Sequence, residues 1–153
     1  MGKTLVDLLQ EDMIRLDVTA SDWKEALRIG VDLLEGSGGV EPRYYDEIIK
    51  MIDELGPYVV IAPGLALGHA GPDAGVIHTC FSLITLAEPV EFGLPSNDPV
   101  DIVFCFAAPN KEDHMAALRQ MALFCCEPEH LELIRKAKTA GEIREKLIGF
   151  FEK

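Results

Sequence analysis

The sequence predicts an α/β fold in which helices cover both faces of a mixed β-sheet, giving a three-layer α/β/α sandwich. Two consecutive amphipathic helical patterns lead into a strand pattern at residues 58–62, and three helical patterns close the chain. Between them, residues 100–107 are apolar at nearly every position, as in a strand that is covered on both faces. With 153 residues, 48% of them hydrophobic, the chain is expected to form a single domain over residues 1–153.

The N-terminal part predicts a helix, a strand and a second helix. Residues 4–10 have a short helical pattern, and apolar and polar residues partly alternate over residues 13–18, as in a half-buried strand. The second helix is predicted to start at a Ser21 cap and to end at Gly36. Trp23, in its first turn, is expected to be a core residue.

The middle of the chain predicts a third helix followed by strands. This helix begins with Pro42 in its first turn and stops at Gly56, which precedes another proline. The next segment, residues 58–62, is rich in β-branched residues, which favour strands. Further strand patterns lie at residues 76–86, 89–93 and 100–107.

The C-terminal part predicts three helices. Their patterns cover residues 110–126, 128–137 and 139–151. Thr139 and Glu142 have the spacing of a capping box, which favours a helix start at that point.

An apolar run ends at His69, inside a loop of glycine, alanine and proline that extends to Gly75. Such small residues let the backbone turn sharply and let another molecule approach closely. The loop therefore presents the His69 imidazole to a partner or substrate. A turn whose histidine merely faces water is the alternative.

A second histidine, His114, falls in the first turn of the helix that Asn110 is predicted to cap. Backbone N–H groups and the helix dipole at such a position attract anions and disfavour a protonated imidazole. A neutral His114 could donate a hydrogen bond to a phosphoryl oxygen or to the other histidine. The alternative is a histidine at a helix start with no ligand.

The two histidines are expected to meet at one edge of the sheet. Residues 107–110 lead directly from a buried strand into the helix of His114, and open α/β sheets place their sites outside the strand ends. If the loop of His69 opens on the same edge, the two imidazoles converge.

Composition excludes several classes of function. The net charge is −12, with 26 acidic and 14 basic residues, which argues against nucleic acid and anionic membranes as partners.

The sequence shows neither a secretory signal nor a membrane span, so a cytoplasmic location is expected. The four cysteines form no C-x-x-C pair and are expected to be reduced and mostly buried.

The two remaining histidines are weaker candidates. His78 lies in a strand pattern and is expected to point outward, and His130 lies in a helix start and is expected to be solvated. No short ligand spacing supports a metal site that would join His69, His78 and His114. A metal-dependent hydrolase therefore has little support.

Several segments spread over nearly the whole chain form one further pattern. It resembles the enzyme IIA component of the bacterial sugar phosphotransferase system (PTS), in the mannitol/fructose superfamily and especially its ascorbate branch. The segments are the run YVVIAPGLALGHA at residues 58–70, Gly75-Val76, Asn97-Asp98-Pro99-Val100, Ala107-Ala108 followed by His114, the helix start SDWKEA that contains Trp23, and Tyr44-Tyr45.

This resemblance implies a phosphocarrier with the mannitol/fructose-type IIA fold. His69 would take a phosphoryl group from the phosphohistidine of the carrier HPr and pass it to a cysteine of a cognate enzyme IIB, for sugar uptake. His114 would be the second active-site histidine and would stabilise the phosphoryl group. No metal, nucleotide or other cofactor is implied, and any association with a membrane permease would be indirect.

The chain departs from the family pattern at three places. Gly68 stands where the family usually has proline, so the loop is expected to be less preorganised. Gly71 stands where ascorbate-type members often have arginine, and residues 51–54 lack an arginine that mannitol-type members carry. Backbone N–H groups, His114 and Lys111 are then left to offset the phosphoryl charge. These departures keep open a regulatory binding module of the same fold that acts through protein partners without sugar transport.

Overall fold

A mixed β-sheet lies at the centre of the computed structural model, which describes residues 4–152. Within that range the sheet has five strands in the order β1-β4-β5-β3-β2. The pairs β1/β4 and β3/β5 are parallel, whereas β4/β5 and β2/β3 are antiparallel. The predicted mixed sheet is confirmed. Its strands are β1 (Ile14–Val18), β2 (Val60–Ala62), β3 (Leu65–Gly68), β4 (Cys80–Val90) and β5 (Val100–Ala107).

Helices precede and follow the strands, as the sequence predicts. The second helix is capped by the carboxylate of Asp22, which accepts a hydrogen bond from the N–H of Glu25 at 2.9 Å, so the predicted cap at Ser21 is wrong by one residue. The other helix ends agree with the prediction to within two residues. The helices are α1 (Leu5–Leu8), α2 (Trp23–Gly36), α3 (Arg43–Leu55), α4 (Lys111–Cys125), α5 (Pro128–Lys136) and α6 (Ala140–Phe151), with a 3₁₀ turn at Glu11–Met13.

Helices pack on both faces of the sheet. On one face the Ser82 hydroxyl, on β4, donates to the carbonyl oxygen of Gly30 in α2 at 2.8 Å. On the other face the side chain of Phe106 contacts His114 in α4. Because neighbouring residues of a strand point to opposite faces, β5 presents Cys105 to α2 and Phe106 to α4. The fold is therefore the predicted α/β/α sandwich.

The strand β3 was missed by the sequence analysis, which placed residues 65–68 in the run that leads to the loop. A turn at Pro63-Gly64, in which Gly64 has φ +75°, reverses the chain after β2 and pairs β3 with β2 and β5. Alanine and glycine in β3 give it a weak strand signal, so its partners rather than its propensity define it. This strand carries His69 to the sheet edge.

The strand predicted at residues 76–86 starts only at Cys80. Val76 makes an isolated bridge with Val40, and residues 77–79 lie outside the sheet. Trp23 is half-buried rather than a full core residue, with its ring 6.2 Å from that of Phe92. No helix in the part of the chain from residue 4 to residue 152 combines the length and apolar character that a membrane span requires.

Gly30 tests how closely α2 packs on the sheet. A Cβ at Gly30 would lie 2.6 Å from Sγ of Cys105, whereas a Cβ at Gly149 in α6 would meet nothing within 4 Å. We expect Gly30→Ala to lower the free energy of unfolding by about 1–3 kcal/mol through overpacking. The matched control Gly149→Ala should be neutral or stabilising by about 1 kcal/mol or less. Urea unfolding measures both, and equal effects would contradict the packing described here.

Candidate functional site

His69 follows the last residue of β3 and is held by its own strand. Nδ1 of its ring lies 2.9 Å from the carbonyl oxygen of Leu67. Because a carbonyl oxygen only accepts hydrogen bonds, Nδ1 carries the proton and Nε2 keeps a lone pair. The ring is partly buried, and Nε2 has no hydrogen-bond partner among residues 4–152. The local structure thus provides a neutral imidazole with one defined nucleophilic nitrogen.

His114 lies beside His69 at the same edge of the sheet. The centroids of the two imidazole rings are 5.6 Å apart, with the rings inclined at 63°. Both rings also pack on Phe106, at 5.3 Å from His69 and 4.9 Å from His114. Because β3 and β5 are parallel, their C-terminal ends bring His69 and the start of α4 to one place. The predicted convergence of the two histidines is confirmed.

The first turn of α4 is built as the sequence predicts. Oδ1 of Asn110 accepts a hydrogen bond from the N–H of Asp113 at 2.8 Å, and the N–H of His114 donates to the carbonyl oxygen of Asn110. The His114 ring has no hydrogen bond to any residue in the described range, and its Nδ1 is buried. Nδ1 is shielded from solvent, so Nε2 is the ring nitrogen that a ligand or a water molecule can reach.

Burial lowers the pKa of both imidazoles from the ordinary value. For His69 burial is the largest cause, the bond to Leu67 opposes it, and the neighbouring His114 lowers the pKa further. For His114 burial alone lowers the pKa. Desolvation disfavours the charged form of a histidine, so both rings are neutral at pH 7. A neutral ring is the form that can act as a nucleophile.

Two tyrosines contact the backbone around His69. The Tyr58 hydroxyl donates to the carbonyl oxygen of His69, and the Tyr58 ring packs edge-on against the imidazole with centroids 5.4 Å apart. The hydroxyl of Tyr44 accepts from the N–H of Ala70 at 2.9 Å and donates to the carbonyl oxygen of Phe106 at 2.8 Å. Both tyrosines lie in segments that carry the family resemblance, but their contacts with the backbone around His69 join distant parts of the chain and leave no signal in the local sequence.

Comparison with protein-family models shows the family to which the chain belongs. The model of the EIIA 2 family of the phosphoenolpyruvate-dependent sugar phosphotransferase system matches residues 7–148. The chain belongs to this EIIA family. It is therefore a phosphotransfer protein of the sugar PTS, as the resemblance implied.

Curated relatives of this EIIA chain include ascorbate-specific PTS EIIA components. Those of Escherichia coli K12 and Salmonella typhimurium are each 42% identical to it over 137 residues, which is 89% of this chain and 89% of theirs.

Solved structures of PTS IIA proteins share the fold. One from Streptococcus mutans, PtxA, has a TM-score of 0.81 and 37% identity, with 91% of each chain covered. The mannitol-specific cryptic enzyme IIA CmtB of Escherichia coli has a TM-score of 0.84 and 29% identity, with 95% of this chain and 98% of that chain covered.

Gly68 of this EIIA is part of the sheet rather than of the loop. It pairs with Cys105, and a Cβ at Gly68 would lie 2.9 Å from Leu27 and 3.0 Å from Sγ of Cys105. A larger residue would press on these buried side chains. The expectation that Gly68 loosens the loop is therefore wrong for this residue itself, because strand pairing holds its backbone.

His78, Asp98 and Asp101 lie away from the pair formed by His69 and His114. His78 is exposed, as predicted. Asp98 and Asp101 are near the opposite end of β5: the Asp98 carboxylate accepts from the N–H groups of residues 92–94, and Asp101 forms a salt bridge with Arg135 at 2.8 Å. Both carboxylates have structural partners there.

The prediction that His130 is solvated is wrong. His130 is only 3% exposed, its ring stacks on Phe124 at 4.1 Å, and its Nδ1 lies 2.6 Å from the carbonyl oxygen of Phe124. It shares the inward face of α5 with Ile134, four residues on. That helical spacing is the signal that the sequence analysis overlooked.

Apart from the His114 imidazole, no nucleophile or metal centre lies near His69 within residues 4–152. No group of three His, Cys, Asp or Glu side chains in that range has a geometry that could hold a metal ion. All four cysteines are free thiols. Burial raises the pKa of Cys80, Cys105 and Cys125 to about 12, so these thiols stay protonated at neutral pH.

The neutral state of the two imidazoles can be measured directly. We expect NMR titration of His69 and His114 to give midpoints below the ordinary histidine pKa of 6.5. The unfolded chain would bind protons at that ordinary pKa, so the free energy of unfolding should decrease as the pH falls below 6.5. Midpoints at or above the ordinary value would contradict the assigned burial of these rings.

Proposed function

We propose that this EIIA component accepts a phosphoryl group from phospho-HPr on Nε2 of His69 and passes it to a cysteine of its cognate enzyme IIB. The observation that carries the proposal is the state of His69: Nδ1 is engaged by the carbonyl oxygen of Leu67 at 2.9 Å, and the free Nε2 lies at a rim shared with His114. A neutral imidazole with a fixed tautomer is a competent nucleophile.

Each bond that forms in the transfer is matched by one that breaks, so the proposed steps need no metal or nucleotide. In the first step the lone pair of Nε2 forms an N–P bond as the N–P bond to the HPr histidine breaks, and that histidine leaves with the electron pair. In the second step a cysteine thiolate of enzyme IIB forms an S–P bond, and His69 leaves as the neutral imidazole. In both steps the protein positions the reacting groups and stabilises the charge on the phosphoryl oxygens.

His114 is assigned the role of stabilising the phosphoryl group. Its ring has no hydrogen bond within residues 4–152 and lies against the His69 ring. The N–H groups of Lys111 and Glu112, at the start of α4, have no acceptor in the same part of the chain, and Lys111 is exposed there. Hydrogen-bond donors preorganised around a phosphoryl group stabilise the charge that spreads in the transition state.

The sugar is proposed from the curated relatives. Those at 42% identity over 89% of this chain are ascorbate-specific, so we assign this EIIA to an ascorbate-type PTS. It would work in the cytoplasm, and its link to a membrane permease would run through enzyme IIB.

The acceptor residue is tested with phosphoenolpyruvate, enzyme I, HPr and this protein. We expect an acid-labile mass gain of one phosphoryl group, which is lost in His69→Ala because the proposed acceptor nitrogen is removed. The matched control His78→Ala removes an exposed histidine outside the site and should keep the full mass gain. Intact-protein mass spectrometry measures both. Failure of the wild-type protein with several HPr proteins would favour the regulatory binding module instead.

The role of His114 is tested separately. In His114→Ala the nucleophile remains, so phosphorylation of His69 should persist, whereas transfer to enzyme IIB should slow by about tenfold or more through loss of a stabilising donor. Rapid-quench measurement of phosphoryl loss from the phosphorylated protein determines the rate. An unchanged rate would contradict the role assigned to His114.

A further inference from the structure

The peptide group between His69 and Ala70 is held on both of its polar atoms by phenol hydroxyls. Its carbonyl oxygen accepts a hydrogen bond from Tyr58, and its N–H donates to the hydroxyl of Tyr44 at 2.9 Å. The two tyrosines come from different parts of the chain: Tyr44 lies in α3 and Tyr58 in the segment before β2. We call this pair the tyrosine clamp.

We propose that Tyr44 and Tyr58 are positioning residues for phosphoryl transfer, because together they fix the backbone that orients the His69 imidazole. This inference rests on the proposed role of His69 as the phosphoryl acceptor. The clamp acts on the orientation and tautomer of the ring, and neither hydroxyl takes part in the chemical step.

Tyr44 links the loop of His69 to the backbone of Phe106, the residue on whose ring both histidines pack. Besides accepting from Ala70, its hydroxyl donates to the carbonyl oxygen of Phe106 at 2.8 Å. The Tyr44 side chain is fully buried, so water cannot replace these bonds without opening the core. One hydroxyl therefore ties the residue after His69 to the end of β5, where Phe106 contacts His69 and His114.

Tyr58 restrains both the backbone and the ring of His69. Its hydroxyl bonds to the His69 carbonyl oxygen, and its ring meets the imidazole edge-on at an interplanar angle of 82°. Burial raises the pKa of Tyr58 to about 12 and also raises the pKa of Tyr44. Both hydroxyls therefore keep their protons at neutral pH and can donate.

The loop needs such an external restraint. The pairing of β3 with β5 ends at Gly68, before the peptide between His69 and Ala70, and a Cβ at Gly71 would meet nothing within 4 Å. If the peptide after His69 rotated, the ring would move relative to the carbonyl oxygen of Leu67 and Nδ1 would lose its acceptor. The clamp keeps Nδ1 protonated and leaves Nε2 as the nucleophile.

The test compares Tyr44→Phe, Tyr58→Phe and the double variant with a matched control, Tyr45→Phe. Tyr45 follows Tyr44 in the first turn of α3, but its hydroxyl donates to the carbonyl oxygen of Lys24 at 3.2 Å, away from the loop. Each change removes one hydroxyl and keeps the ring. Imidazole ¹H–¹⁵N NMR of the unphosphorylated proteins reports the His69 tautomer, and thermal unfolding reports whether each variant is folded.

We expect the wild type and Tyr45→Phe to show the Nδ1–H tautomer of His69, and each clamp variant to show a mixture of tautomers. The maximal rate of phosphorylation by phospho-HPr should fall about tenfold in each single variant and further in the double variant, with KM for HPr unchanged. A merely structural role would lower the melting temperature but would leave the tautomer and the rate of the folded protein unchanged.

A folded Tyr58→Phe variant with the wild-type tautomer and with a rate equal to that of Tyr45→Phe would overturn the proposal, even if Tyr44→Phe did not fold. Absence of phosphorylation on His69 in the wild type would instead refute the proposed function. The tautomer measurement needs no phosphorylation, so it still decides whether the clamp orients the ring.

Discussion

The hydrogen bond from Nδ1 of His69 to the carbonyl oxygen of Leu67 decides which ring nitrogen can react. It is a local bond, since Leu67 is two residues away in the same strand, but it forms only where the chain leaves β3 at the correct angle. Pairing of β3 with β5 fixes the backbone up to Gly68, and the tyrosine clamp holds the peptide that follows His69. The reactive nitrogen is thus determined by backbone geometry, with no carboxylate partner for the imidazole in the part of the chain that the structure describes.

The sheet topology brings the rest of the site to this nitrogen. The parallel strands β3 and β5 end at the same edge, so the loop of His69 meets the start of α4 with His114. Phe106, near the end of β5, gives both imidazoles an apolar surface and contributes to the burial that keeps them neutral. The helices cover both faces of the sheet that carries this arrangement, and close contacts at Gly30 and Gly68 keep α2 tight against the strands.

Much of this arrangement is predictable from sequence, and the exceptions have physical causes. The cap at Asn110 locates α4, a continuous apolar run locates β5, and the small residues around His69 mark a presented histidine. The residues of β3 have little strand propensity, so the strand is defined by its pairing with β2 and β5. The contacts of Tyr44 and Tyr58 with the peptide after His69 join residues distant in the chain, so no local sequence pattern predicts these contacts. His130 follows acidic neighbours, yet its helical spacing with Ile134 places it inside.

The position of the phosphoryl group in the phosphorylated protein tests whether Nε2 of His69 is the reactive nitrogen. Heteronuclear ¹⁵N–³¹P NMR of that protein identifies the ring nitrogen that carries phosphorus. Our account predicts phosphorus on Nε2 of His69, with Nδ1 still protonated and hydrogen-bonded to Leu67. Phosphorus on Nδ1 of His69, or on His114, would contradict it.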